Sequence, residues 1–205
     1  MMLPAPHRLP DPPALAMNGD AVKLTVSTHK LFGYRATLRT AKRLAEEAVR
    51  IVDRAVPGKM PDVQVVLTGE RHLAEVATAA EWETAGCTDK RVQARALRAA
   101  KRLARDTAGR AIPLADGGVL VVINVDQHPN ETTFAVTLVH ELVHAMQTSR
   151  KDVRERLIAG LRNDLGVERQ TRRQVREHDR LLQAEEHEAY GAEYLAGRLV
   201  PAAAA

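Results

Sequence analysis

The chain has 205 residues, 45% of them hydrophobic and 27% charged, with a formal net charge of +4; this composition fits one folded domain and excludes wholesale disorder. No stretch approaches the roughly 20 consecutive apolar residues of a membrane span, and a lone cysteine, Cys87, rules out a disulfide framework or a Cys-rich metal site and fits a reducing, cytoplasmic setting. Aromatic residues make up only 3%, which leaves few base-stacking platforms, so the modest positive charge does not by itself point to nucleic acid.

Residues 1–20 carry Pro4, Pro6, Pro10, Pro12 and Pro13, which interrupt any secretory apolar core, so the segment reads as a flexible, unexported leader. Val22, Leu24 and Val26 then alternate with polar residues, predicting a half-buried strand over 21–28. Leu38, Ala41, Leu44, Ala45, Ala48, Ile51, Val52 and Ala55 recur at three- and four-residue steps, predicting an amphipathic helix over about 36–56 that stops before Pro57-Gly58. Val63, Val65, Val66 and Leu67 form a second strand. Two helical patterns follow, parted by a turn near Gly86.

Asp116-Gly117-Gly118 signals a turn, and residues 119–125 after it form the strongest strand in the chain, with 111–114 as its hairpin partner. That strand is either buried in the core or presents an edge to which a peptide could add. From Glu131 onward the pattern is helical, with breaks near Gly160 and Gly166 and an end at Pro201, before a short alanine tail over 201–205. Asn130 or Thr132 is the expected N-cap of the first of these helices, over about 131–149.

His140-Glu141-Leu142-Val143-His144 falls on that helix. Histidines four residues apart project from one face and can share a metal ion, and Glu141 lies beside them as a candidate base. Thr133, Thr137, His140, His144 and Gln147 form one polar stripe, whereas Ala135, Leu138, Val139, Leu142 and Met146 form an apolar one, so the histidines are expected to face a cleft. Two ligands leave a catalytic zinc site incomplete. The third must come from a later helix, where Glu185-Glu186-His187-Glu188-Ala189-Tyr190-Gly191-Ala192-Glu193-Tyr194 offers several possible ligands. Glu186 and Glu188 project about 200° apart around the axis, so only one can face the histidines, and periodicity does not choose between them.

His140-Glu141-x-x-His144 together with Glu186-x-Glu188-Ala189-Tyr190 resembles the gluzincin group of zinc metallopeptidases, in particular the small bacterial intracellular minigluzincin or ImmA/IrrE-like kind. The resemblance covers roughly residues 119–200. It implies an α+β, zincin-like fold over 21–200, one Zn²⁺ per chain held by His140, His144 and Glu186, and Glu141 as the general base. Ala189 would let the two helices approach. It also implies hydrolysis of a peptide or protein substrate, endopeptidase rather than exopeptidase, by a metal-activated water. The chain departs from the family at Tyr190, where an aspartate or asparagine commonly bonds a zinc histidine; a phenol could accept that imidazole N–H instead. His178, His187, Tyr190 and Tyr194 are the candidate donors to a developing oxyanion.

Arginines and lysines crowd the stretch from Arg150 to Arg180, and Lys101, Arg102, Arg105 and Arg110 form a smaller group. They motivate an alternative, a catalytically silent regulator or nucleic-acid-binding module with a structural zinc site. An intact Glu141 argues against it, because a structural site needs no base. Pairing within helices, for instance Asp152 with Arg156, is the plainer account of such a stretch. A third reading is a peptidase that acts on one partner protein.

Overall fold

The computed structural model describes residues 22–31 and 35–200. The proline-rich leader and the alanine tail lie outside the described residues. In chain order the elements are β1 (Leu24–Thr28), α1 (Arg35–Ala55), β2 (Val63–Thr68), α2 (Glu70–Ala85), α3 (Lys90–Leu103), β3 (Gly109–Pro113), β4 (Val119–Asn124), α4 (Glu131–Gln147), α5 (Val153–Asp164) and α6 (Arg172–Ala192). The fold is α+β and mostly helical. No helix among the described residues is long and apolar enough to cross a membrane.

One mixed four-stranded sheet, in the order β1-β2-β4-β3, organises the molecule. β1, β2 and β4 are parallel, with Val26 beside Val65 and Val65 beside Val121. β3 returns antiparallel to β4 through the Asp116-Gly117-Gly118 turn, pairing Ala111 with Val121. Helices cover both faces. Val119, Val121 and Ile123 of β4 point into the main core with α1 and α4, whereas Leu120 and Val122 point to α2 on the other face. This two-sided burial is why β4 reads as an unbroken apolar run. β1, at the sheet margin, keeps the alternation of a half-buried strand.

β4 is paired on both sides, so the buried reading holds and the edge reading does not. The sheet's two edges belong to β1 and β3, and β3 is the one beside α4. Ala108 accepts a hydrogen bond from Asn124 N–H at 2.9 Å and Leu114 N–H donates to Gly118 O at 2.8 Å. In an antiparallel pair the intervening alternate residues, Gly109 and Ala111, therefore turn their backbone groups away from β4.

α4 starts where expected, with the Asn130 side chain accepting from Thr133 N–H at 2.9 Å. Leu138, Val139, Leu142, Ala145 and Met146 fill the core beneath it. Gly160 does not break α5, contrary to the expectation from sequence. A Cβ there would lie 2.5 Å from His178 Cε1, so this glycine admits the α6 histidine to the surface of α5. Of the two glycines only Gly166 marks a break, with a left-handed φ of +69°; the chain also breaks between α4 and α5, where Asp152 has a φ of +63°. α6 begins at a Thr171–Gln174 capping box and ends at Ala192, where the chain tightens into 3₁₀ turns over Glu193–Arg198, rather than continuing as one helix to about 199.

Candidate metal centre

α4 places His140 and His144 one turn apart with their Nε2 atoms 3.1 Å from each other. α6 crosses this face at Ala189, fully buried, whose small side chain permits the close approach. The crossing brings Glu186 to the histidines, Oε2 at 3.5 Å from His140 Nε2 and Oε1 at 3.3 Å from His144 Nε2. His140, His144 and Glu186 thus form a cluster that could hold a metal ion.

The outward ring nitrogens are already engaged. His144 Nδ1 lies 2.8 Å from Gln147 Oε1, and His140 Nδ1 lies 3.0 Å from Glu193 Oε1. Both partners are acceptors, so each Nδ1 carries the hydrogen and each Nε2 turns a lone pair inward. Two lone pairs and a carboxylate converging on one point repel unless a cation lies among them. The shortest approaches, 3.1 Å between the two Nε2 atoms and 3.3 and 3.5 Å from them to the two different oxygens of Glu186, gather the three side chains round one point; with one ligand atom taken from each, the three atoms lie within 4.8 Å of one another.

Supporting contacts also separate the two glutamates that periodicity left open. Gln147, 2% exposed, donates from Nε2 to Glu185 O at 2.9 Å and to Glu188 Oε2 at 3.1 Å. Glu188 is turned away from the histidines and held by Arg150 through two 2.7 Å hydrogen bonds. Arg150 in turn donates to Pro57 O at 3.0 Å, tying the site to the loop after α1. The Arg150 hydrogen bonds hold the Glu188 carboxyl below its ordinary value of 4.5. A depressed carboxylate stabilises the fold fully above its unfolded pKa and loses that contribution as pH falls through its folded value. Glu188→Gln is therefore expected to destabilise the metal-free protein at pH 7 by about 1 kcal/mol, a figure reduced for solvent screening of this partly exposed pair. The difference from wild type should shrink as pH falls below 4.5, measured by denaturant unfolding in chelator across that range.

Glu141, 6% exposed, borders the same cleft. Burial, and secondarily the Glu186 charge, push its pKa up to about 8 against opposing help from the Ala111 backbone N–H and Arg110. The lid over it is Gly109 of β3, where a Cβ would lie 2.7 Å from Thr137 Cγ2 and 2.9 Å from Glu141 Oε1. Gly109→Ala is expected to cost about 1–3 kcal/mol of stability through overpacking. Metal affinity should stay close to wild type, because Gly109 touches no member of the cluster; denaturation and metal titration check the two halves.

The cleft, of about 630 Å³, runs between β3, α4, α5 and α6. Tyr190 lines it and sets its ring edgewise on His140, centroids 4.8 Å apart, but Glu193 rather than Tyr190 occupies the imidazole-bonding role. His178 also lines the cleft, with Nδ1 3.3 Å from Arg156 Nη1. Tyr194 and His187 are exposed and do not line it. Sequence reasoning counted Glu193 among the possible ligands and not as a support, and it passed over Gln147 as a support and Gly109. Two of these carried a signal. Gln147 lies on the polar stripe one turn after His144, and Glu193 follows Glu186 by seven residues, two helical turns along one face.

Several cations of the basic stretch are engaged in ion pairs. Arg150 binds Glu188, Arg156 binds Glu185, and Arg180 binds Glu177. Arg156 therefore pairs across to α6 and not with Asp152 in its own helix. In the smaller group, Lys101 is 3.1 Å from Glu75 and Arg110 is 2.7 Å from Glu81. No protein-family model, curated protein or solved structure matches the chain.

Proposed function

We propose that this chain is a zinc-dependent metallopeptidase of endopeptidase type, with a zincin-like arrangement. The observation that carries the reading is the convergence of His140 Nε2, His144 Nε2 and the Glu186 carboxylate beside Glu141 in one cleft. A set of two histidines and one glutamate suits a catalytic zinc site that keeps a position open. Such an ion would lower the pKa of water toward about 7 and polarise a peptide carbonyl.

The chain's own residues do the rest. Gln147 and Glu193 fix both imidazoles with Nε2 inward. Glu141 takes a proton from the attacking water at its carboxylate and delivers it to the departing amine. Gly109, and Ala111 through its carbonyl, offer the edge of β3, along which an extended substrate segment would pair by its backbone, the Ala111 N–H being taken by Glu141. A segment laid along an edge runs through the cleft and does not end in it, which favours internal cleavage. The resemblance of the two motifs to gluzincins agrees with this assignment. The ion pairs that engage part of the basic stretch weaken the motive for a nucleic-acid-binding alternative.

Incubating the zinc-loaded protein with a proteome-derived peptide mixture, and reading new termini by mass spectrometry, tests the proposal. New termini should form with wild type and disappear with chelator and with Glu141→Gln. Cleavage that survives chelation, or none at all with fully loaded wild type, would overturn it.

A further inference from the structure

The chain's excess of positive charge resides on one helix. α3 carries six of the 30 lysines and arginines, Lys90, Arg91, Arg95, Arg98, Lys101 and Arg102, and none of the 26 acids, so the other residues together are net negative. At about 100° per residue, Arg91, Arg95, Arg98 and Arg102 fall within an arc of roughly 60° and form a straight row about 17 Å long. The opposite face of α3 is packed. Leu97 and Ala100 lie against the apolar cluster built from α2 and β4, and Val92 and Ala96 lie against Ala85, Cys87 and Leu165. The row therefore faces outward, with all four arginines exposed.

A solvated helix face is ordinarily laced with opposite charges, and this one is not. Both lysines lie to one side of the row and are engaged, Lys90 with Gln93 Oε1 and Lys101 with Glu75 Oε1, each at 3.1 Å. Among the described residues the four arginine side chains have neither an ion pair nor a hydrogen bond. Arg91 and Arg95, Arg95 and Arg98, and Arg98 and Arg102 are three or four residues apart, so like charges stand side by side and destabilise the helix. Arg91 also occupies the first turn, where the helix dipole disfavours a cation and no acid accompanies it. The row thus works against the helix that carries it, which points to a polyanion outside the chain.

We propose that the α3 row is a docking surface for the phosphate backbone of double-stranded DNA, bound without regard to sequence. Guanidinium groups take phosphate oxygens in bidentate pairs, and each strand presents a phosphate every 3.4 Å or so along the axis, roughly five over the length of the row. The row has no aromatic residue on which an unpaired base could stack, and no acceptor for the 2′-hydroxyl that marks RNA. A protein partner would need an apolar centre, whereas the residues flanking the row are Ala94 and Ala99. A membrane-surface helix needs its apolar face free, and that of α3 is packed into the fold. These arginines are distinct from the paired cations of residues 150–180 and from the metal centre.

The test titrates the full chain into a fluorescein-labelled DNA duplex of about 20 base pairs and arbitrary sequence, followed by anisotropy between about 50 and 200 mM NaCl. Four phosphate contacts give a slope of log K against log salt of about −3.6, so affinity should fall about 150-fold over that range. Arg95→Gln/Arg98→Gln should bring the slope to about −1.8 and, by relieving like charges, leave the unfolding free energy no lower than that of wild type. Arg173→Gln/Arg176→Gln on α6 removes the same net charge and should keep the wild-type slope. No binding at the lower salt, equal losses in the two double variants, a slope unmoved by the α3 pair, or an α3 pair less stable than wild type would each overturn the proposal. Tighter binding to the single strand, to an RNA duplex, to polyglutamate or to phosphatidylserine vesicles than to the DNA duplex would overturn it as well.

Discussion

Glu141→Gln is expected to lower peptide hydrolysis by about 100- to 10,000-fold, the range that a positioned general base contributes. Zinc should remain bound, because the Glu141 carboxylate is not one of the three groups that converge at 3.1–3.5 Å. Glutamine keeps the shape and can still accept the Ala111 N–H, so the space under Gly109 stays filled. What it lacks is a site for the proton. The measurement is kcat against KM for a cleaved peptide, alongside metal content. A fall in kcat with KM little changed is expected; a fall explained by lost metal would remove Glu141 from the chemistry.

The second large effect concerns the histidines and their supports, and it is graded. His144→Ala removes a ligand, and it should weaken zinc binding by more than the roughly 10- to 100-fold typical of a lost outer partner. Gln147→Ala and Glu193→Ala should fall within that range, since each frees the Nδ1 of one imidazole without removing its Nε2. Gln147→Ala also unties the Glu185 carbonyl and the Glu188 carboxylate on α6, so its effect includes some loss of stability. Zinc at 100 times its Kd would raise the unfolding free energy of wild type by about 2.7 kcal/mol. Denaturant unfolding with and without zinc should show that increment in wild type, a reduced one in the two support variants, and none in His144→Ala at the same concentration. Equal increments in all four proteins would place zinc elsewhere.

The parts of the fold that local pattern controls could be read directly from the sequence. The stripes of α1 and α4 and the apolar run of β4 follow from which faces are buried, and that requirement is written in the residue spacing. His140, Glu141 and His144 were legible for the same reason, since a single helix places all three. Glu186 and Glu188 were not separable by spacing, because the choice depends on how α6 rolls against α4. That roll is settled by buried Ala189 and by the Arg150 clamp on Glu188, both tertiary features. Gly160 and Gly109 misled or escaped for a related reason. Their roles are to admit His178 and Glu141 from other elements, and nothing local distinguishes such a glycine from a helix or strand breaker. Glu193 stood on the right face but beyond the expected ligand motif, and the 3₁₀ turns that carry it were hidden inside a continuous helical pattern.

Elemental analysis of the purified full chain shows whether His140, His144 and Glu186 hold the proposed zinc ion. Wild type and Glu188→Ala should each carry close to one zinc per chain, whereas Glu186→Ala should carry far less under the same dialysis. Wild type without stoichiometric zinc, or equal zinc in Glu186→Ala and wild type, would contradict the proposed zinc site.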